Sequence, residues 1–330
     1  MKKIKAVGLF SGGLDSVLAI KLIQSQGIEV VALAFRSPFF IYTESKKNKM
    51  EEVAKANKFM IKFIDLDEDY IKIVKKPKHG HGKNMNPCID CHAYMFKKAK
   101  GYASKIGAKF IFSGEVLDER PMSQNMGSLN LVAKEAGLMG ELLRPLSAKL
   151  LEETLAEKKG YLDRSKLLDL RGRSRGRQFA LAKKFKIKEY ETPSGGCLLT
   201  YKDYSNKLKD LFKNNPDFSL EDIRLLKVGR HFRSGRNKII VGRNKEDNDE
   251  LMILKHKSDG VFEAKDVVGP KTLLKGPKTK KVIELAASLT ARYSDSDLEE
   301  VSVFYQSNKL KKEIVITKIS DGNLEDLRVK

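Results

Sequence analysis

From residue 4 to residue 115, apolar runs without helical spacing alternate with amphipathic stretches. IKAVGLF (4–10), IEVVALAF (28–35), FMIKFIDL (59–66) and AKFIFSGE (108–115) are short, apolar on both faces, and read as strands. SVLAIKLIQSQG (16–27), a charged stretch at about 46–58, and FKKAKGYASKIG (96–107) have helical periods. This alternation predicts an α/β fold, a parallel sheet covered by helices with ligands at the carboxyl ends of the strands. Residues 150–190 read as helical and basic, and near residue 200 the rhythm stops. Beyond it, 201–226 read as two helices, 227–244 as strand, turn and strand, and about 278–291 as a helix. EVSVFYQ and KEIVITK alternate like a half-buried antiparallel pair. Two domains are therefore expected, a parallel α/β domain over 1–200 and a smaller α+β domain over 201–330, without internal repeats.

The 330 residues carry 64 Lys and Arg against 43 Asp and Glu, a formal charge of +21 that points to a polyanionic partner. Residues 1–200 hold most of the excess, 37 basic against 22 acidic side chains. No apolar run approaches the roughly 20 residues that span a bilayer, and the amino terminus lacks the apolar core of a signal peptide. A cytoplasmic protein without membrane contact is expected.

The first strand-to-helix turn reads SGGLDS, Ser11 to Ser16. Gly12 and Gly13 let the backbone approach a phosphate, the free amides at the helix start favour an anion, and Ser11 and Ser16 donate hydroxyl groups. Asp15, an anion among anions, makes sense if it holds Mg²⁺ on a pyrophosphate. The Lys of a Walker loop is absent. The string resembles the pyrophosphate loop of the PP-loop ATPases, which cleave ATP between the α and β phosphates and adenylate a substrate. By that resemblance Ala34 and Phe35, after the second strand, and Ser113 and Gly114, after a later one, line the adenosine pocket.

Three cysteines, Cys88 and Cys91 in NPCIDCH and Cys197 in the glycine turn of TPSGGCLLT, are too few for a secreted disulfide framework. Three chemistries fit them. They can hold a [4Fe-4S] cluster with one iron open; Cys88 and Cys91 can join His92 in a zinc site; or one cysteine can carry a persulfide that another resolves. Thiolate beside lysines and a cationic loop is expected to be readily available near neutral pH.

NPC and the later glycine-flanked cysteine resemble the bacterial tRNA 2-thiouridylases, whose two catalytic cysteines map to Cys88 and Cys197. With Cys91 added, the trio resembles the PP-loop tRNA thiolation enzymes that carry a three-cysteine [4Fe-4S] cluster. SGEVLDERPMSQN (113–125), followed by LLRPLS, resembles the tRNA 4-thiouridine synthetases. That resemblance brings Glu115, Asp118, Ser123 and Gln124 into the candidate site, Glu115 beside the nucleotide and Asp118 as a catalytic carboxylate. Compared with those synthetases, no THUMP domain is expected ahead of the loop and no rhodanese domain after Cys197.

Between Arg164 and Lys188 ten basic residues meet one acid, Asp169, and the run RGRSRGRQF (171–179) reads as a mobile basic loop. Arg171, Arg173, Arg175 and Arg177 are expected to touch RNA phosphates. KVGRHFRSGRNKIIVGRN (227–244) resembles the small RNA-binding domain at the end of the NFACT family, with Arg230, Arg233 and Arg236 as contacts and His231 between strand and turn. These resemblances imply an ATP-dependent tRNA sulfurtransferase that adenylates a uracil carbonyl and replaces its oxygen with sulfur. Its implied needs are ATP, Mg²⁺, the cluster (zinc as the alternative), tRNA, and a sulfur donor, either sulfide or a persulfide-carrying protein. A homodimer is compatible with the sequence. An amide-forming or lysidine-type ligase with structural zinc, and a non-catalytic RNA-binding protein, remain the other readings.

Overall fold

In the computed structural model, which describes residues 3–41, 44–187, 189–190, 196–308 and 310–330, the opening apolar runs become adjacent parallel strands. β1 (Lys5–Leu9), β2 (Glu29–Arg36), β3 (Met60–Asp65), β4 (Phe110–Phe112) and β5 (Leu142–Leu143) form one sheet in the order β3-β2-β1-β4-β5. Every pair in it is parallel.

Strand alternation sends neighbouring residues to opposite faces, and both faces are covered. Ala6, Ala32, Ala34, Phe110 and Phe112 pack with α1 (Leu14–Gln24) and α2 (Glu44–Ala56). Val7, Val31, Leu33 and Ile111 pack with α4 (Cys88–Lys105) and α5 (Met126–Glu135). The short α3 (Glu68–Lys75) precedes α4. Gly8 has a packing reason: a Cβ there would lie 2.5 Å from the Phe112 ring that crosses over β1.

The order sets the location of the site. From β1 the chain winds outward through β2 and β3, then returns to add β4 and β5 on the other side. The crevice between the carboxyl ends of β1 and β4 is therefore a topological switch point, where open α/β sheets bind ligands.

Residues 150–190 differ from the expected helical stretch. Among the described residues, helix there is confined to the end of a 3₁₀ turn at Ala148–Leu150, α6 (Leu155–Lys158), a 3₁₀ turn at Arg164–Lys166 and α7 (Gly176–Lys184). Gly160 and Gly172, at φ 65° and 80°, take left-handed conformations that interrupt helix, and Ala182 of α7 joins the α1 side of the core.

The chain divides into Met1–Thr200 and Tyr201–Lys330. In the second unit α8 (Lys202–Asn214) and α9 (Leu220–Leu225) precede the hairpin of β6 (Arg230–Ser234) and β7 (Asn237–Val241). Then follow α10 (Lys245–Leu254), β8 (Gly260–Ala264), β9 (Thr272–Lys275), α11 (Lys280–Arg292), β10 (Glu300–Ser307), β11 (Leu310–Thr317) and α12 (Asp321–Leu327). Its six strands run β11-β10-β8-β9-β7-β6, all antiparallel. α11 packs on one face of this sheet, while α9 and α10 pack beneath Ile240 and Leu273 on the other. No helix among the described residues is long and apolar enough to cross a membrane.

Candidate active site

At the end of β1, Gly12 takes φ 83°, a conformation that glycine adopts without strain, and turns the chain so that Gly13 enters α1 from an extended backbone. The Ser16 hydroxyl donates back to the Gly13 carbonyl at 2.7 Å, fixing the loop from within. Gly114, after β4, lies against this turn: a Cβ there would meet the Ser16 amide nitrogen at 2.6 Å and the Asp15 carbonyl at 2.7 Å. Only a glycine lets the β4 end press on the loop this closely.

These segments wall a cavity of about 370 Å³, a size usual for small-molecule sites, with Ser11, Gly13, Asp15, Ser16, Ser113, Gly114 and Glu115 among its lining. Leu9, Leu33 and Phe35 supply apolar wall. Ala34 does not: strand alternation turns its side chain to the α1 and α2 layer, and its neighbour Leu33 lines the cavity. Burial raises the pKa of Asp15, opposed chiefly by Arg175. The Asp15 Oδ1 atom is buried without a hydrogen-bond partner.

The same cavity holds all three cysteines. Cys88 and Cys91 stand one turn apart at the start of α4, Cys91 buried with its sulfur 3.0 Å from the Tyr70 hydroxyl. Cys197 arrives from a distant segment, pinned as Phe40 and Cys197 form a β-bridge while Leu198 N–H donates to Phe39 at 2.8 Å. Thr192 to Gly195 of its expected glycine turn lie outside the described residues.

The thiols are not poised as thiolates. Burial pushes Cys91 up to about 12 and Cys197 up to about 11. Cys88 is raised too, burial outweighing the Arg120 guanidinium. The expected thiolate near neutral pH is thus corrected by desolvation. Neighbouring sulfur adds to this: Cys88 and Cys197 both raise Cys91, and Cys88 raises Cys197. No three His, Cys, Asp or Glu side chains among the described residues converge on a point that would hold a single metal ion.

Glu115 forms a buried post in the cavity wall. It accepts from Arg144 Nε at 2.9 Å and Ser113 Oγ at 2.9 Å, with His92 Nδ1 at 3.2 Å. Burial alone would raise its pKa; Arg144 and His92 overcome this and hold it at about 2. Asp118, the expected catalytic carboxylate, turns at φ 62° and pairs with Arg171 at 2.7 Å, while its neighbours Glu119 and Arg120 line the cavity. Ser123 is buried, and Gln124 reaches the cavity wall. The sequence reading missed Glu119 and Arg120, and it expected Arg175 only as a contact to RNA phosphates; the signal for all three was the charge of two loops.

The basic run is more ordered than expected, because from Gly176 it is helix. Arg171 and Arg177 form exposed pairs with Asp118 and Asp169, and Arg173 is exposed. Arg175 instead turns inward to Asp15, 2.9 Å away, since the buried carboxylate requires a counter-charge. In the second unit Arg233 is held by Asp210 through two contacts, at 2.9 and 2.7 Å. Arg230 stacks 4.5 Å over the Tyr293 ring, and Arg236 is exposed beyond β6. His231 is buried and bonds the Val228 carbonyl, and burial with nearby lysines keeps it neutral.

The first unit is thus a parallel sheet with SGGLDS at its switch point, and a separate antiparallel α+β unit follows it in the chain. Residues 2–156 match the family model described as Thiamine biosynthesis protein (ThiI), and residues 229–328 match the NFACT protein RNA binding domain. A tRNA-specific 2-thiouridylase MnmA 1 of Clostridium tetani is 30% identical over 125 residues, 34% of this chain and 34% of that protein. A probable tRNA sulfurtransferase of Thermococcus kodakarensis is 30% identical over 174 residues, 49% of this chain and 42% of that protein. The matched stretches thus span between a third and about two fifths of these relatives. Among solved structures, the U34-tRNA thiolase NcsA from Methanococcus maripaludis with its [4Fe-4S] cluster aligns at TM-score 0.35 and 17% identity, covering 69% of this chain and 72% of that one.

Proposed function

We propose that the chain is a cytoplasmic, ATP-dependent tRNA-uridine thiolase. The carrying observation is that one cavity is lined by both the SGGLDS loop and three cysteines drawn from two distant segments. The family match of residues 2–156 and the curated sulfurtransferase relative support the same reaction class. The RNA-binding family match of residues 229–328 supports tRNA as the partner.

ATP lies with its phosphates on the α1 amides and the Ser11 and Ser16 hydroxyls. The buried, unpartnered Oδ1 of Asp15 fits an Mg²⁺ ligand. A uracil carbonyl oxygen attacks the α-phosphorus, the bond to the bridging oxygen breaks, and pyrophosphate leaves with the ring proton. Hydrosulfide then adds at the adenylated carbon, AMP leaves with the former carbonyl oxygen, and the ring nitrogen regains a proton. Adenylation makes the oxygen a good leaving group.

The donor set fits a sulfur-ligated cluster better than zinc: three thiols share one cavity, while the Nδ1 of His92, the nitrogen ligand a zinc site would add, is engaged by Glu115. Cys88, Cys91 and Cys197 would hold a [4Fe-4S] cluster, which supplies an open iron able to hold sulfide. Because burial keeps these thiols protonated, loading the cluster must displace their protons.

Anaerobically purified protein, reconstituted with iron and sulfide, is incubated with unmodified tRNA, ATP and sulfide. Formation of AMP with a thiolated uridine is expected, and Cys197→Ala is expected to lose thiolation while still binding ATP. Full thiolation by Cys197→Ala, or no tRNA-dependent AMP from the intact protein, overturns the proposal.

A further inference from the structure

The basic run 171–179 contributes one arginine that does not face solvent. Arg175 stands at the start of α7, 160 residues along the chain from Asp15, yet its Nη2 donates to Asp15 Oδ2 at 2.9 Å. Both side chains are 19% exposed and line the cavity with Ser11, Gly13 and Ser16. The approach is fixed by backbone. Gly172 N–H donates to the Leu117 carbonyl at 2.7 Å, and Leu117 and Arg171 form a parallel bridge. One turn into α7, the Phe179 ring lies 5.8 Å from the guanidinium carbon.

The pairing leaves atoms of both partners unused. Arg175 Nε is buried and makes no hydrogen bond, its nearest acid being Glu119 at 3.7 Å, and Asp15 Oδ1 is likewise unpartnered. A salt bridge built only for stability at this depth would be expected to satisfy those atoms, because a buried polar group without a partner is costly. RNA contact fits Arg173, which is exposed, better than a guanidinium inside the cavity. A planar fork of donors beside the amides of a phosphate loop matches phosphate oxygens.

We propose that Arg175 is a ligand of the nucleotide's β and γ phosphates, released to them when Asp15 transfers its carboxylate to Mg²⁺. This deepens the proposed function and rests on its assignment of ATP to the cavity. The carboxylate and the guanidinium neutralise each other until Mg²⁺ and triphosphate arrive together, and each then takes the incoming partner of opposite charge. The chain thereby brings a cation to the phosphates from the same segment that presents Arg171, Arg173 and Arg177 at the surface.

The test is calorimetric titration of the full chain with Mg·ATP and, separately, with AMP, for the intact protein, Arg175→Gln and Arg175→Lys. Loss of a charge-assisted phosphate contact predicts Mg·ATP binding weaker by roughly 10- to 100-fold in Arg175→Gln. AMP affinity is expected to stay within about twofold, about 0.4 kcal/mol. Arg175→Lys keeps the charge without the fork and is expected to recover part of the loss. If the intact protein binds ATP and Arg175→Gln binds it equally well, the role of Arg175 is overturned. If Arg175→Gln loses AMP as much as ATP, Arg175 is only a support for the loop, which also overturns it. If the intact protein binds neither nucleotide, the ATP assignment itself fails.

Discussion

Replacing Glu115 by Gln tests whether this carboxylate is a structural post rather than a ligand of the nucleotide. Arg144 is 5% exposed, and its side chain is shared between Glu115 and the Leu129 carbonyl, each at 2.9 Å. Glutamine keeps the shape but leaves a buried guanidinium without a counter-charge, which costs about 3–5 kcal/mol. The pKa gives an independent magnitude: a fall from 4.5 to about 2 is worth about 3 kcal/mol at roughly 1.4 kcal/mol per unit. Because the folded-state value is depressed, this stability is complete above pH about 4.5 and disappears as the pH falls toward about 2. Urea unfolding followed by far-ultraviolet circular dichroism suits a chain with no Trp. At pH 7 the variant's midpoint is expected to fall by about 1.5 M, taking a slope of about 2 kcal/mol per M. The gap between variant and parent should shrink as the pH drops from 5 to 3. A second arm, Glu115→Leu with Arg144→Met, removes both charges and is expected to be more stable than Glu115→Gln alone. A loss below about 1 kcal/mol at pH 7, or a gap that does not narrow in acid, refutes the reasoning.

Gly114→Ala is expected to push the β4 end off the phosphate loop, since the new Cβ meets backbone at 2.6 Å; Mg·ATP affinity should fall at least roughly tenfold, about 1.4 kcal/mol, while calorimetry still reports a folded chain. Alkylation of the metal-free protein by iodoacetamide should be slow at pH 8 and quicken by about tenfold per pH unit toward pH 10, because burial holds Cys197 near 11 and Cys91 near 12; labelling as fast as free cysteine at pH 8 would contradict this. Asp118→Asn should leave thiolation within about twofold of the parent, the pair it loses to Arg171 being an exposed one; a loss of activity beyond that restores Asp118 to the site. Asp210→Asn should destabilise the second unit by about 3 kcal/mol in urea, as it strands Arg233 and Lys238, which now share that carboxylate.

β1 to β4 were legible because their runs carry apolar residues on both faces and alternate with amphipathic stretches, as a doubly covered parallel sheet requires, whereas the two residues of β5 left no pattern to read. β8 and β9 were missed since GVFEA and TLLK are too short to show a period. SGGLDS could be read as a site from its position between strand and helix, and the cysteines from their side-chain chemistry. Ala34 and Leu33 could not be told apart without the register of β2. Arg175 was hidden for a different reason. In the sequence it is one arginine among four, and only the turn at Gly172 and the bridge between Leu117 and Arg171 bring it to Asp15. Long-range ion pairs of this kind leave no local trace in the chain.

Nucleoside mass spectrometry on tRNA from cells lacking this gene, beside the parent and cells carrying the intact gene or Cys197→Ala, tests the central claim most directly. One thiolated uridine should vanish on deletion, return with the intact gene, and stay absent with Cys197→Ala. Persistence of every thiolated uridine in the deletion, or restoration by Cys197→Ala, would contradict the account.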